Sequence, residues 1–194
     1  MKKGLLIAAI AVFGFTSANA QETSNGGFAQ GDLFISGAVG FGSQKTGDAK
    51  TNSFEIAPRL GYFVSENIAV GIALGYQNSK SEDALGNETE DISTLALGAF
   101  GRYYFMPANQ FSLFGQLGVE YLSTEYNIAD VKVSGFGASL APGISYFVSN
   151  NFALEATFGI LGYSTVEPDG GESTDTFQFG VDMNDINFGI VYKF

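Results

Sequence analysis

Histidine and cysteine are both absent from this 194-residue sequence. Without cysteine no disulfide can hold the chain together, so its stability must come from backbone pairing and packing. Without histidine, a Ser-His-Asp or Cys-His catalytic site is excluded, and the most common proton-transfer group in enzymes is missing. We therefore predict that the protein is not an enzyme, and that it has no catalytic, cofactor-binding or metal-binding residues.

Basic residues and long apolar runs are also scarce. Nine Lys and Arg residues stand against 20 Asp and Glu residues, which gives a formal net charge of −11. Because nucleic-acid binding needs a basic face, we expect no nucleic-acid partner. After residue 20 no segment has the roughly 18 successive apolar residues that a transmembrane helix needs. If this chain crosses a membrane, it must do so with strands.

The first 20 residues have the composition of a secretory signal peptide. Lys2 and Lys3 are followed by an apolar run over residues 4–15 and by the small-residue motif Ala18-Asn19-Ala20. We predict a signal peptide at 1–20 and a single β-barrel domain at 21–194. Removal of the two lysines changes the formal net charge from −11 to −13.

The remaining chain contains eight stretches in which large apolar residues alternate with small or polar ones, the period of a β-strand. In the first stretch Leu33 and Ile35 fall on one face, and Phe34 and Ser36 on the other. The fourth stretch is the hardest to phase, because placing Tyr104 outward would also put Arg102 outward. In the fourth we predict that Leu95, Leu97, Ala99, Gly101 and Tyr103 face outward. In the seventh we predict that Phe152, Leu154, Ala156, Phe158 and Ile160 face outward and that Glu155, Thr157, Gly159 and Leu161 face inward.

The connections between these stretches alternate in length. Short turns at residues 65–67, 107–109 and 149–151 alternate with polar loops at about 43–53, 78–91, 123–132 and 164–182. Outer-membrane barrels have short periplasmic turns and longer extracellular loops. The pattern therefore predicts an all-β fold, a transmembrane eight-stranded antiparallel up-and-down β-barrel in the bacterial outer membrane, with both termini periplasmic and the long loops extracellular.

The volume of the side chains decides which face of each strand points inward. The interior of an eight-stranded barrel is just wide enough for side chains to fill it, so the face with small and charged residues should face inward. An Arg or Lys facing lipid near mid-membrane would cost roughly 2–4 kcal/mol. We therefore predict a structural charge network in the lumen. Its members are Glu55, Arg59, Arg102, Glu120, Glu155 and Lys193.

An aromatic pair recurs at intervals of 42 residues, each time before a short turn: Tyr62-Phe63, Tyr104-Phe105 and Tyr146-Phe147. Tyrosine is suited to a membrane interface, where its ring lies in lipid and its hydroxyl in water. We predict an interfacial aromatic girdle. Its members are Tyr62, Tyr104, Tyr146, Tyr192 and Phe194.

The chain ends in the sequence Phe-Gly-Ile-Val-Tyr-Lys-Phe at residues 188–194, with aromatic residues that lead to a terminal Phe. With this closing strand, the sequence resembles the small eight-stranded outer-membrane β-barrel families, which include the transmembrane domain of outer-membrane protein A, outer-membrane protein X and the opacity-type porin-like proteins. The resemblance implies the barrel assembly machinery as a partner during biogenesis.

The second and fourth long loops are rich in Asp and Glu. Divalent ions bound by these carboxylates are one way to bridge the loops to lipopolysaccharide, but simple solvation of the loops is the interpretation that we favour, because no calcium-loop spacing is present. As partners we expect outer-membrane lipid and lipopolysaccharide, and we expect the barrel to be a monomer.

Four functions are compatible with such a barrel. We favour a non-enzymatic role in envelope structure or in surface interactions through the four external loops. The alternative is a narrow porin-like channel for small or hydrophobic solutes, because many inward positions are glycine. An adhesin or receptor and a soluble ligand-binding barrel are the other two.

Overall fold

The fold is described from a computed structural model that covers residues 26–180 and 186–194. The signal peptide predicted at 1–20 lies outside these residues. The described chain forms ten β-strands. They are β1 (Leu33–Thr46), β2 (Ala49–Phe63), β3 (Ile68–Glu82), β4 (Glu88–Tyr104), β5 (Phe111–Tyr126), β6 (Val131–Phe147), β7 (Phe152–Phe158), β8 (Leu161–Pro168), β9 (Thr174–Phe179) and β10 (Ile186–Lys193). No helix of the described residues has the length and apolar character that would let it cross a membrane.

The strands close into an antiparallel barrel with eight positions around its wall. Each strand from β1 to β6 pairs with the next, β6 pairs with β7, β7 with β10, and β10 with β1. Strands β7 and β8 both lie along β6, one after the other, so together they occupy the seventh position. The predicted eight-stranded up-and-down barrel is confirmed.

The long connections are mostly paired strand rather than loop. Strands β1 and β2 stay paired up to Thr46 and Ala49, so the turn at their tip contains only Gly47 and Asp48. Strands β8 and β9 form a further hairpin inside the loop predicted at 164–182. The tip of the β1–β2 hairpin, residues 43–53, is polar on both faces, so it lacks the apolar alternation by which a strand is recognised in a sequence. We call this end of the barrel the hairpin end, and the opposite end the short-turn end.

The seventh wall position contains an irregularity. In β7 Thr157 lies opposite Gly143, but in β8 Leu161 lies opposite Leu140, so one extra residue is present on the β7–β8 side. Such a bulge reverses which residues face outward beyond it. Leu161 is accordingly 36% exposed on the outer face. The predicted inward position of Leu161 was wrong, because the alternation was extended through the bulge.

On β1 and on the fourth strand the predicted faces agree with the structure. In β1, for example, Phe34 is fully buried while Leu33 before it is 39% exposed. In the fourth strand Leu95, Leu97 and Tyr103 are exposed and Arg102 is buried, as predicted. Large apolar side chains therefore form the outer surface, and a buried cluster fills the short-turn end of the lumen.

Candidate functional site

A cluster of aromatic rings fills the lumen at the short-turn end, and we call it the aromatic plug. Its members are Phe28, Phe34, Phe63, Tyr104, Phe114 and Phe147. Phe28 is at its centre, with its ring centroid 4.7 Å from that of Phe63 and 4.8 Å from that of Phe147. Rings at these separations make close contact, and each of the six side chains is at most 2% exposed.

The segment before β1 folds back into the barrel and brings Phe28 into this position. The backbone amide of Phe28 donates a hydrogen bond to the carbonyl of Pro107 in the β4–β5 turn, at 2.7 Å. The Lys193 ammonium donates to the carbonyl of Gly27 at 2.6 Å. The sequence patterns did not predict a role for Phe28. The one feature that distinguishes it is that it is the single large apolar residue in residues 21–32, which are otherwise small or polar.

A buried ion pair lies next to the plug. Arg102 Nη1 is 2.9 Å from Glu155 Oε1 and 3.0 Å from Oε2, and both side chains are almost completely buried. The same nitrogen donates to the Tyr104 hydroxyl at 3.0 Å, and Arg102 Nε donates to Gln116 Oε1 at 2.7 Å. A charged group of this kind is stable in the interior only when its charge and its hydrogen bonds are matched, which these contacts largely achieve.

Three aromatic rings surround the guanidinium of Arg102. Its Cζ lies 4.5 Å from the ring centroid of Phe114, 5.1 Å from that of Phe100 and 5.8 Å from that of Phe34. Contacts within about 6 Å attract a cation to the face of a ring. The ion pair and the plug therefore form one packed unit, although Arg102 Nη2 has no hydrogen-bond partner among the described residues.

The other predicted members of the charge network occupy different places. Glu55 and Arg59 line a small cavity of about 30 Å³ that also borders Glu155. Arg59 lies within electrostatic range of Glu120 as well, but across the described residues it forms no ion pair shorter than 4 Å. Lys193 is separate from this group, and its grouping with Arg102 was wrong.

Lys193 instead closes the short-turn end of the lumen. Its ammonium is 3.4 Å from Asp32 Oδ2 and 5.6 Å from the ring centroid of Phe147. Lys193 does not join the group around Arg102 because it lies at a different height along the barrel axis. It is the last residue of β10 and lies at the rim. The strand pattern predicts the inward direction of a side chain but not which other charge lies at the same height.

The aromatic girdle differs from the prediction at one position. Tyr62, Tyr146 and Phe194 are exposed on the outer face, and Tyr192 is half-buried beside Phe152, with 4.9 Å between ring centroids. Tyr104, however, is fully buried inside the barrel. Its assignment to the girdle was wrong, because it lies two residues after Arg102 and therefore on the same inward face.

The wall of the barrel is incompletely paired between β1 and β10. The two strands pair over only four positions, from Phe34 with Lys193 to Gly37 with Ile190. Beyond them, within the described residues, 38–46 of β1 pair with β2 alone. We call the end of this pairing, at residues 38–39 of β1 and residues 188–189 of β10, the seam. The cavity beside Arg59 opens toward it, since Ala38 and Phe188 are among its lining residues.

Comparison with known proteins agrees with this architecture. Residues 7–194 match the family model described as outer membrane protein beta-barrel domain. The chain belongs to this family. It is thus a bacterial outer-membrane β-barrel protein, which confirms the predicted localisation to that membrane. No curated protein matches the chain.

Two solved structures show the same fold. The outer membrane protein OprG from Pseudomonas aeruginosa is 18% identical, with a TM-score of 0.50 over 88% of this chain and 98% of that one. The Outer Membrane Protein W of E. coli is 16% identical, with a TM-score of 0.50 over 86% of this chain and 99% of that one. At these identities the likeness shows the fold alone.

Proposed function

We propose that this family member is a closed, non-enzymatic surface barrel that contributes to envelope structure or to surface contacts through its four long hairpins. The observation that carries the proposal is the aromatic plug. The rings around Phe28 and the buried Arg102–Glu155 pair occupy the lumen at one end. A continuous water path would need to pass through this packed region, so the plug supports a barrel that does not conduct.

In this proposal the short-turn end faces the periplasm and the hairpin end faces outward, in keeping with short periplasmic turns in such barrels. The absence of histidine and cysteine from the sequence supports a role without catalysis. We propose that the barrel works as a monomer in contact with outer-membrane lipid. We also propose that the barrel assembly machinery acts on the strand that ends at Phe194.

Conductance tests the proposal. Purified protein inserted into planar bilayers should give no discrete current steps. The double variant Phe63→Ala/Phe147→Ala removes two rings of the plug and should give steps, which also proves that silence is not a failure of insertion. Phe136→Ala is the matched control, because this ring is 64% exposed on the outer face and lies away from the plug and the seam. Steady discrete conductance of the unaltered protein would overturn the proposal.

The seam favours a second candidate function, the passage of small apolar solutes from the lumen sideways into the membrane. The pairing of β1 with β10 ends at Gly37 and Ile190, beside a cavity that lies inside the barrel wall. Such a path would bypass the plug, because it leaves the lumen through the wall rather than through the short-turn end. It is therefore compatible with a barrel that is silent in conductance measurements.

A disulfide across the seam tests this candidate. Continuation of the β1–β10 register would bring residues 39 and 188 opposite each other. The chain has no cysteine of its own, so the double variant Val39→Cys/Phe188→Cys contains a single possible bridge. Oxidation should slow the uptake of an apolar dye into vesicles, and reduction should restore it. Equal uptake in both redox states would reject the sideways path.

A further inference from the structure

The outer face of the β1–β2 hairpin changes in polarity toward the hairpin end. Its register is continuous from the first pair to the last, so every second pair lies on the same outer face as Leu33. Phe41 and Phe54 form one such pair, with ring centroids 5.2 Å apart. This aromatic pair belongs to the apolar surface that faces lipid.

Two polar pairs follow on the same face. Ser43 lies opposite Asn52, and its hydroxyl donates a hydrogen bond to Asn52 Oδ1 at 2.9 Å. Lys45 lies opposite Lys50 in the next outward pair. The lysines are four residues beyond Phe41, or about 13 Å along the strand. We call these three outward pairs the graded face. It runs from apolar through neutral polar to cationic.

The two lysines of the graded face differ from the other outward lysines. Lys80 lies 2.9 Å from Asp91, and Lys132 lies 3.5 Å from Glu125. Within residues 26–180 and 186–194, the one ion-pair contact of Lys45 is a long one of 3.9 Å with the exposed Asp48.

Among the residues that the structure describes, Lys50 forms no ion pair within 4 Å. Its register neighbour on β3 is the carboxylate Glu82. The graded face is therefore a weakly neutralised cationic site on a chain whose overall charge is strongly negative.

Like charges directly opposite each other on paired strands destabilise the hairpin unless an anion lies between them. The polarity of the graded face specifies the kind of anion. Acyl chains would pack beside Phe41 and Phe54, hydroxyl or amide groups would meet Ser43 and Asn52, and a phosphate would lie between the lysines. We propose that the graded face binds one phosphorylated glycolipid of the outer leaflet, lipopolysaccharide, through its lipid-linked phosphate. This proposal rests on the orientation proposed above, with the hairpin end outward, and is independent of whether the barrel conducts.

Native mass spectrometry of the intact barrel in detergent tests the proposal, with bisphosphorylated lipid A as the added probe. The double variant Lys45→Gln/Lys50→Gln should weaken binding about 30-fold, because each lysine close to a membrane surface contributes about a fivefold gain in affinity for anionic lipid. The matched control for the single variant Lys50→Gln is Lys132→Gln, which removes one charge from a lysine that is already ion-paired. Its binding should stay close to that of the unaltered protein.

Two further measurements separate the lipid from a simple anion. Lipid A without phosphates should bind the unaltered protein as weakly as lipid A binds the Lys45→Gln/Lys50→Gln variant. Inorganic phosphate at the same concentration should not displace lipid A. The proposal is overturned if Lys132→Gln loses as much affinity as Lys50→Gln, if dephosphorylated lipid A binds equally well, or if inorganic phosphate displaces the lipid. Heat-modifiable migration on gels establishes that each variant is folded.

Discussion

Replacement of Glu155 by glutamine should destabilise the barrel strongly, although the two side chains have nearly the same shape. Glutamine retains a hydrogen-bond acceptor for Arg102 but removes the negative charge that compensates the guanidinium. Arg102 is only 2% exposed, and three rings pack around it. The uncompensated cation would therefore have almost no access to water.

The size of the effect follows from burial. Removal of one partner from a buried ion pair costs roughly 3–5 kcal/mol in the free energy of unfolding, and we expect Glu155→Gln to fall in that range. Arg102→Met should cost at least about 1 kcal/mol less, because the remaining Glu155 borders the cavity beside Arg59 and can be solvated there. The double variant Arg102→Met/Glu155→Gln has neither charge of the pair, so it should be more stable than Glu155→Gln alone.

Urea unfolding in lipid vesicles, followed by circular dichroism, measures all four proteins of this double-mutant cycle. The reasoning is refuted if Glu155→Gln changes the free energy of unfolding by less than about 1 kcal/mol, the range of exposed ion pairs. It is also refuted if the two single effects simply add in the double variant, because additive effects would mean that the charges do not interact.

Three other outcomes are expected. Gly71→Ala should lower the free energy of unfolding by about 1–3 kcal/mol, because the added methyl group would overlap the Leu60 carbonyl on β2 and the Phe100 ring in the lumen. Gly101→Ala is its control, because a methyl group there meets open space. In the same urea assay this control should unfold like the unaltered protein. Leu97→Arg places a charge on the outer face and should lower the free energy of unfolding in vesicles by about 2–4 kcal/mol. An unchanged free energy of unfolding would argue against lipid contact at this position. The hydrogen bond from Lys80 lowers the pKa of Asp91. The ionised Asp91 therefore stabilises the folded barrel fully above the ordinary carboxyl pKa, and this stabilisation is lost as the pH falls through the lowered pKa. NMR titration of the Asp91 carboxyl carbon should show this lowered pKa, and Lys80→Met should raise it; an unchanged titration would contradict the assigned cause.

The sequence alone was sufficient to predict the eight wall positions and the direction of most side chains. The reason is that a strand has a period of two, and the choice between lipid and lumen is enforced at every residue by volume and charge. Arg102 illustrates this strength. Its charge fixed the phase of the fourth strand, although the aromatic repeat favoured Tyr104 on the outside.

Only the tertiary structure decided which inward groups meet. Arg102 and Glu155 are separated by 53 positions in the chain, and their pairing depends on the closure and stagger of the whole barrel. The bulge before Leu161 likewise depends on how β6 accommodates two successive strands. Phe28 lies outside every strand, so no periodicity applied to it. Local alternation determines the direction in which a side chain points, whereas height along the barrel axis, and with it each contact, is set by long-range register.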